Sequence, residues 1–456
     1  MPKPRRHRRH FQPQTGASAA LDREGRAIVP RYEEGDKRWR EARVDGALAG
    51  ERFVYLRSER DGEVDRARVV EVLEPAPERV EPRCVHYGVC GGCSLMHMHV
   101  DAQLAHKQGV LLGDLAAHGL VPERVLEPLR AEPWGYRRRA RLGAKWVAAK
   151  QEVVVGFREK DHRFIARLSG CEVLAGNAGA LITPLSQLIA SLSIVDRVPQ
   201  IEVTIGDAPD DRALVLRVLA APSDDDLAKL RAFAAAERVR LFLQPGGLDS
   251  VHELDGEPGS VLHYGLPAHA LELAFRPTDF VQVNAAINRA MIDHALALLE
   301  LAPEHRVLDL FCGLGNFSLA LARHAHEVVA LEGDAGLVAR AEANAARNGL
   351  TNVRFAACDL YGEFADVERL ATLGEGQRPF DRVLIDPPRS GALQVVERFD
   401  RIAAPRVVYV ACSTETLARD LAILVARHGY RLRAAGILDM FPHTAHVESI
   451  ALLERV

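Results

Sequence analysis

The sequence predicts a multi-domain protein with three parts: a small N-terminal β-barrel, a central β-rich α+β domain carrying a four-cysteine cluster, and a C-terminal doubly wound α/β domain. Three observations predict it. Short β-like runs punctuated by Gly35, Gly46, Gly50 and Gly62 fill residues 24–75, the spacing of a small barrel. Three cysteines crowd into residues 84–93. From about residue 283, apolar strands alternate with helical segments, the pattern of a parallel sheet with helices on both faces.

Composition bounds the reading. A chain of 456 residues holds two to four domains, at roughly 100–200 residues each. Lys and Arg number 58 against 62 Asp and Glu, a net charge of −4. That excludes a protein basic all over, though not one with a basic face. Seven cysteines in so long a chain do not make a disulfide scaffold. No apolar run follows the basic residues at the start, so no signal peptide is expected. The longest charge-free stretch, Val173–Val195, is broken by Asn177, Pro184 and Gln187 and is not a membrane span. The expectation is a cytoplasmic protein with reduced thiols and no membrane partner.

The elements follow in order. Residues 1–13 form a basic tail with Arg5, Arg6, Arg8 and Arg9. Residues 14–77 hold the barrel, with strands in Gly25–Val29, Glu51–Leu56 and Arg66–Leu73, and Glu74–Pro82 reads as a Pro-rich linker. In the central part, 78–275, a helix is expected at about 99–118 and further helices at 172–194 and 223–237. Strands are expected at Glu152–Phe157, Arg163–Leu168, Ile201–Ile205 and Ala213–Val218. The last part, 276–456, offers apolar strands at Arg306–Phe311, Val328–Glu332, Val353–Cys358, Arg382–Asp386, Arg406–Ala411 and Ile450–Leu453.

Phe311-Cys-Gly-Leu-Gly-Asn-Phe-Ser318 lies between a strand and a helix. Gly313 and Gly315 allow a tight turn and close approach of a ligand. Ser318 replaces the third glycine of G-x-G-x-x-G, which counts against a dinucleotide pyrophosphate. Glu332 ends the next strand, where an acid can hydrogen-bond ribose hydroxyls. Asp359 ends the one after, at the place of an adenine contact. The set resembles an S-adenosylmethionine site of Rossmann-like methyltransferases. The plainer reading is a structural turn with two solvated acids.

Cys412 follows the strand Val407–Ala411. Strand C-termini in open α/β sheets face the ligand crevice, and a cysteine reacts as the thiolate. Asp386-Pro-Pro-Arg-Ser-Gly391 ends the preceding strand and should share that edge, and Glu448 precedes the last strand near the same rim. Thiolate, methyl donor and carboxylate suit methylation of uracil C5, a poor nucleophile. Thiolate addition at C6 makes C5 carbanion-like, C5 takes the methyl group, and a base removes the C5 proton so that the thiolate leaves. An amino-methyltransferase of DNA or RNA needs no cysteine and carries an aromatic residue where Arg389 stands. The alternative for Cys412 is a small buried packing residue. Cys312 and Cys358 are read as packing residues of that kind. His443 and His446 are assigned no role.

In this order, and over nearly the whole chain, these motifs resemble the RNA (uracil-C5)-methyltransferases. Asp279-Phe-Val-Gln-Val-Asn284 resembles the family's cofactor-side Phe-x-Gln-x-Asn element. The resemblance implies Gln282, Phe311, Asn316, Glu332, Asp359 and Asp386 at the cofactor, Cys412 as nucleophile and Glu448 as proton acceptor. Asp359 stands where some members carry Asn; both hydrogen-bond adenine.

Cys84-x5-Cys90-x2-Cys93 with the distant Cys171 supplies four thiols, the number for a [4Fe–4S] cluster or a structural zinc. Unligated cysteines are the bland alternative. The resemblance favours [4Fe–4S], because this spacing is that of the family's 23S ribosomal RNA branch. It also implies that residues 14–77 are a TRAM domain, an OB-like RNA-binding barrel. The run Arg137-Arg-Arg-Ala-Arg141, beside Trp134 and Tyr136, reads as phosphate contacts interleaved with stacking rings, or else as a solvated charged strand. The function expected is S-adenosylmethionine-dependent methylation of a 23S rRNA uridine by a monomer that binds no DNA. The rivals are the same chemistry on tRNA or another rRNA uridine, and a non-catalytic RNA-binding metal-cluster protein.

Overall fold

The computed structural model describes residues 12–33, 38–61, 63–160, 162–208, 211–256, 260–362 and 378–456. The Arg5–Arg9 cluster, Gly35 and Gly62 lie outside the described residues. The chain divides into two units: Met1–Lys107 with His443–His446, and Gln108–Pro442 with Val447–Val456.

In the first unit, alternate residues along each strand turn to one core: Ala27 and Val29, Ala42 and Val44, Phe53 and Tyr55, then Ala67. That period-two pattern is what a one-sided sheet requires. The strands are β1 (Gln14–Ala17), β2 (Ala27–Glu33), β3 (Arg38–Asp45), β4 (Arg52–Asp61) and β5 (Val64–Glu74). They pair in the order β1-β4-β5-β3-β2, parallel only between β3 and β5. The Pro-rich stretch after β5 is no linker. Buried Glu51 accepts the backbone N–H groups of Leu48 (2.7 Å) and Ala76 (3.3 Å) and pairs with Arg79. A buried carboxylate needs such partners, and Ala76 and Arg79 are thereby tied to the sheet. Helix α1 (Val100–Ala117) follows, and the two units divide within it, between Lys107 and Gln108.

In the second unit, after β6 (Arg124–Val125), come β7 (Arg139–Val147), β8 (Glu152–Gly156), α2 (Ile182–Ser191), β9 (Gln200–Ile205), β10 (Arg212–Arg217), α3 (Asp224–Glu237), β11 (Arg240–Gln244) and β12 (His252–Glu253). Strands β7–β12 form a six-stranded sheet, β12-β11-β10-β9-β7-β8. A capping box of Ser223 and Asp226 starts α3 where the sequence expected a helix. Two expectations fail. Arg163–Leu168 is not a strand: it meets the neighbouring chain in one bridge, Arg158 with Ile165. The helix expected at 172–194 is shortened, because Gly176 and Asn177 both take positive φ, 56° and 57°, and break it.

The hairpin β13 (Leu262–Leu266) and β14 (Leu271–Phe275) leads into α4 (Ala285–Leu299). The remaining elements are β15 (Arg306–Leu310), α5 (Ser318–Ala322), β16 (Glu327–Glu332), α6 (Ala335–Arg347), β17 (Val353–Ala357), β18 (Arg382–Ile385), α7 (Leu393–Glu397), β19 (Arg406–Ala411), α8 (Thr414–His428), β20 (Tyr430–Leu438) and β21 (Glu448–Arg455). Their sheet runs β17-β16-β15-β18-β19-β21-β20-β6. β15 is entirely buried and β16 nearly so, as expected for strands covered on both faces. The order reverses between β15 and β18, the switch point at which open α/β sheets bind ligands. β21 runs antiparallel between β19 and β20, which the sequence did not reveal. No helix among the described residues is long and apolar enough to cross a membrane.

Candidate active site

Strand register builds the rim. β15 pairs with β18 so that Leu310 faces Ile385, and the Asp386 N–H donates to the Leu310 carbonyl at 3.2 Å. Ile385 faces Tyr409 on β19, and Ala411 faces Ser449 on β21. One step further along each strand stand Phe311, Asp386, Cys412 and Glu448. Parallel β15, β18 and β19 end at this rim and antiparallel β21 begins there, so four segments distant in sequence meet at one edge.

The turn after β15 is tight, as its glycines predict: Gly313 and Gly315 hold φ 55° and 88°. Phe311 holds φ 65°, a left-handed conformation costly for a bulky residue. The Gly313 N–H donates to Glu332 Oε2 at 3.0 Å, and the Asp334 N–H to Oε1 at 3.0 Å. A Cβ added at Gly313 would meet nothing within 4 Å, so the backbone there is open to a ligand. Ser318, in the third-glycine position, is buried and donates to Asp309 Oδ2 at 2.5 Å. Burial, with the charges of Asp386 and Glu332, pushes Asp309 up to about 7. Asn316 exchanges two hydrogen bonds with Asn288 (3.0 and 2.8 Å) and accepts one from Tyr264 at 3.0 Å, so most of its amide is committed to holding the turn. Asp359 is exposed and accepts the Tyr361 N–H at 2.9 Å. Tyr361, which the sequence reading missed, packs on Phe311 with ring centroids 5.7 Å apart, and its hydroxyl lies 2.9 Å from Ser390 Oγ. It bridges the Phe311–Ser318 turn and the Asp386–Gly391 turn.

Cys412 is half-buried, neither sealed nor fully open. Burial, Glu448 and Asp386 push its thiol up to about 11, and Arg389 opposes them. Glu448 is buried, and desolvation with the Asp386 charge raises it well above the ordinary carboxylate range, again against Arg389. Burial raises Asp386 to about 7. The rim thus carries several groups whose proton affinities are shifted upward, a pattern typical of functional clefts. Arg389 is the cation acting on both Cys412 and Glu448. The sequence used it only to exclude amino-methyltransferases; a cation beside a strand-end thiol was the available signal. Cys312 and Cys358 are buried, as their packing role requires. His443 is buried too, and its carbonyl accepts the Ser94 and Leu95 N–H groups, both at 2.9 Å.

Gln282 is half-buried in the segment before α4, which Asn284 caps by accepting the Ile287 N–H at 3.2 Å. The arginine run holds this segment. The Arg138 N–H donates to the Val283 carbonyl at 2.8 Å, and the Arg139 guanidinium donates to the carbonyls of Thr278 (2.8 Å) and Asp279. Arg340 pairs with Asp279 at 2.9 Å. Arg138 also pairs with Asp207 (2.7 Å), while Arg139 and Arg141 pair with Glu202 (3.5 and 2.9 Å). Tyr136 is buried, its hydroxyl donating to the Pro442 carbonyl at 3.1 Å. The expectation of phosphate contacts and stacking rings is therefore corrected for Tyr136, Arg138 and Arg139. Glu202 lies on neighbouring β9 directly opposite Arg141, and carboxylates so placed take up the charge.

None of the seven cysteines is joined in a disulfide. Cys84, Cys90 and Cys93 are half-buried in a loop where Gly88 has φ 88° and the Gly92 N–H donates to Cys90 Sγ at 3.4 Å. Cys171 is half-buried, its backbone so close to Gly179 that a Cβ there would fall 2.1 Å from the Cys171 carbonyl oxygen. As a donor set, four thiols suit an iron–sulfur cluster. Yet among the described residues no three His, Cys, Asp or Glu side chains are grouped to hold a metal ion.

Fold and rim together define a class: a Rossmann-like methyltransferase with a thiol and a buried carboxylate side by side. Comparison with known proteins narrows it. The family profile described as tRNA (Uracil-5-)-methyltransferase matches residues 266–456. The 23S rRNA (uracil(1939)-C(5))-methyltransferase RlmD of Alkalilimnicola ehrlichii is 51% identical over 452 residues, 99% of this chain and 98% of that one. The protein of the same name from Nitrosococcus oceani is 48% identical, with 99% and 98% covered. The chain belongs to this RlmD family of 23S rRNA (uracil-C5)-methyltransferases. Its fold is that of the Pyrococcus abyssi tRNA (uracil-54, C5)-methyltransferase solved with S-adenosyl-L-homocysteine, with a TM-score of 0.72 and 22% identity over 96% of this chain and all of that one.

Proposed function

We propose that the protein transfers a methyl group from S-adenosylmethionine to C5 of a uridine in 23S rRNA, the one equivalent to position 1939 in its relatives' names. The observation that carries the reading is the antiparallel register of β21 on β19, which sets Glu448 beside Cys412. Cys412 adds through sulfur to C6, and the C6–S bond leaves C5 nucleophilic. The cofactor supplies an electrophilic methyl group on a sulfonium. Glu448 accepts the C5 proton, the C5–H electrons re-form the C5–C6 double bond, and the thiolate departs. Its raised proton affinity suits a group that takes a proton from carbon. Arg389 offsets the negative charge that Cys412, Asp386 and Glu448 would otherwise concentrate. Gln282, Phe311, Asn316, Glu332, Asp359 and Asp386 hold the cofactor: Glu332 and the open Gly313 backbone at its ribose side, and Asp359 at its adenine.

The first unit's sheet is read as the TRAM RNA-binding domain, and Cys84, Cys90, Cys93 and Cys171 as ligands of a structural [4Fe–4S] cluster. Four cysteine ligands would leave no open iron, so such a cluster would hold the RNA-binding region together and take no part in the methyl transfer. Anaerobically purified protein is expected to be brown and to contain iron; colourless, zinc-bearing protein would refute this. The enzyme works as a cytoplasmic monomer on RNA, not DNA. The decisive test maps methyluridine in a deletion strain. Loss of the 23S modification is expected, whereas intact 23S methyluridine with lost tRNA methyluridine would transfer the activity to tRNA.

A further inference from the structure

The turn that carries Arg389 rests on a cradle that the mechanism above leaves unused. The first turns of α8 bring Thr416, Arg419 and Asp420 beneath it. The Thr416 hydroxyl donates to the Arg389 carbonyl at 3.2 Å, and Arg419 Nη2 donates to the Ser390 carbonyl at 2.9 Å. Asp420 Oδ2 accepts the Ala392 N–H at 2.7 Å and the Tyr409 hydroxyl at 2.6 Å, while Oδ1 pairs with Arg419 at 2.7 Å. Asp420 and Tyr409 are wholly buried. Gly391 seats in the middle at φ 76°. A Cβ there would fall 2.5 Å from Arg419 Nη2, 2.6 Å from Asp420 Oδ2 and 3.0 Å from Thr416 Cβ. Only glycine lets the turn settle onto the cradle.

A buried carboxylate is a weak source of stability compared with apolar packing, yet costly once a partner is lost. Here every bond it makes is spent on one turn or on the groups that hold it. Three of the four residues Arg389–Ala392 are bound to the cradle through their backbone, and the Gly391 N–H closes the turn on the Pro388 carbonyl at 2.9 Å, so the Arg389 side chain starts from a fixed point. We propose that Tyr409, Arg419 and Asp420 are positioning residues, which hold the Pro388–Ala392 turn so that Arg389 stands by the Cys412–Glu448 pair. The proposal rests on the reading of Cys412 as nucleophile.

The test uses the full-length protein, S-adenosylmethionine and 23S rRNA transcribed with 5-fluorouridine. Fluorine at C5 blocks proton removal, so the Cys412–C6 adduct accumulates and its rate of formation is read directly. Tyr409→Phe keeps the buried ring and deletes the hydroxyl that donates to Asp420 at 2.6 Å and accepts the Ala392 N–H at 3.2 Å; Gly391→Ala lifts the turn by pressing a Cβ on the cradle while leaving the cradle's own residues unchanged. Each should slow adduct formation about tenfold or more and move its pH profile to higher pH, because Cys412 then faces Glu448 and Asp386 with less help from Arg389. Cofactor affinity should stay within about twofold and melting temperature within a few degrees. Wild-type rate and pH profile in both variants would overturn the proposal. So would a rate loss that leaves the pH profile in place and tracks weaker cofactor binding, the mark of a merely structural role. Cys412→Ala separates the two readings. If that variant still methylates uridine, the nucleophile assignment has failed; if it is dead while Tyr409→Phe and Gly391→Ala behave as wild type, only the cradle has.

Discussion

The rim around Cys412 and the arginine strand β7 both announced themselves in the sequence by chemically loaded residues at short spacing, and they ended differently. At the rim, Asp386, Cys412 and Glu448 come from three strand ends whose hydrogen-bond register leaves them side by side. On β7 and just before it, Arg138, Arg139 and Arg141 meet Asp207 and Glu202. The difference lies in where the partners come from. A residue at a strand end inherits its neighbours from the topology of the sheet. A charge within or against a sheet is answered by whatever acid the adjacent chain presents. Crowded positive charge therefore does not mark an RNA surface until its counter-ions have been counted.

The comparison can be broken most sharply at Cys412. Cys412→Ala is expected to lower methyl transfer about 10³-fold or more, read with radiolabelled cofactor. Transfer at the wild-type rate would remove the thiolate from the mechanism. Glu448→Gln comes next. It should slow turnover by about 10²–10⁴-fold and trap a protein–RNA adduct, since methyl transfer can precede a blocked elimination; active enzyme with no adduct on a denaturing gel would count against Glu448.

On the arginine side, Arg138→Met should destabilise the fold by about 1–3 kcal/mol, because Asp207 loses a buried partner, and should leave the salt dependence of RNA binding unchanged. A fall of about one in the slope of log K against log salt would instead make Arg138 a phosphate ligand. The smallest effect on stability is expected from Asp386→Asn. Burial holds Asp386 at about 7, so the folded state favours its protonated form. Stability from this group is therefore present at low pH and lost as pH rises above the unfolded value of about 3.9. Once pH passes 7, wild type must carry a buried charge that Asn lacks. The variant should melt about 2–4 °C higher at pH 8, with the gap closing near pH 5; an equal gap at both would exclude Asp386 titration as its cause.

Most of the parallel strands were legible because doubly buried strands read as apolar runs: β15, β16, β18 and β19 lie where Val, Leu and Ile cluster. The Phe311–Ser318 turn was legible from its glycines. β20 was missed, since Tyr430–Leu438 mixes arginine and alanine and resembles no simple period. Arg163–Leu168 looked like a strand because local β propensity does not reveal how regularly a segment will pair; it lies along Val155–Glu159 but makes a single bridge there. Tyr361 and the cradle under Gly391 were invisible for a related reason: their meaning lies in contacts with Phe311, Ser390 and Ala392, across 17 to 50 positions of chain.

By itself the sequence determined the type of protein, the alternation of strand and helix in its last part, and the chemical identity of the rim: one thiol, one cation and a set of acids. Local pattern suffices for these, since side-chain period and turn chemistry act over a few residues. Tertiary structure alone decided the register that seats the thiol and Glu448 together, which arginines are consumed inside the fold, and what braces Arg389. Proximity between distant segments is set by strand order and register, and burial, which raises the proton affinities of Asp386, Cys412 and Glu448, exists only after the chain has packed.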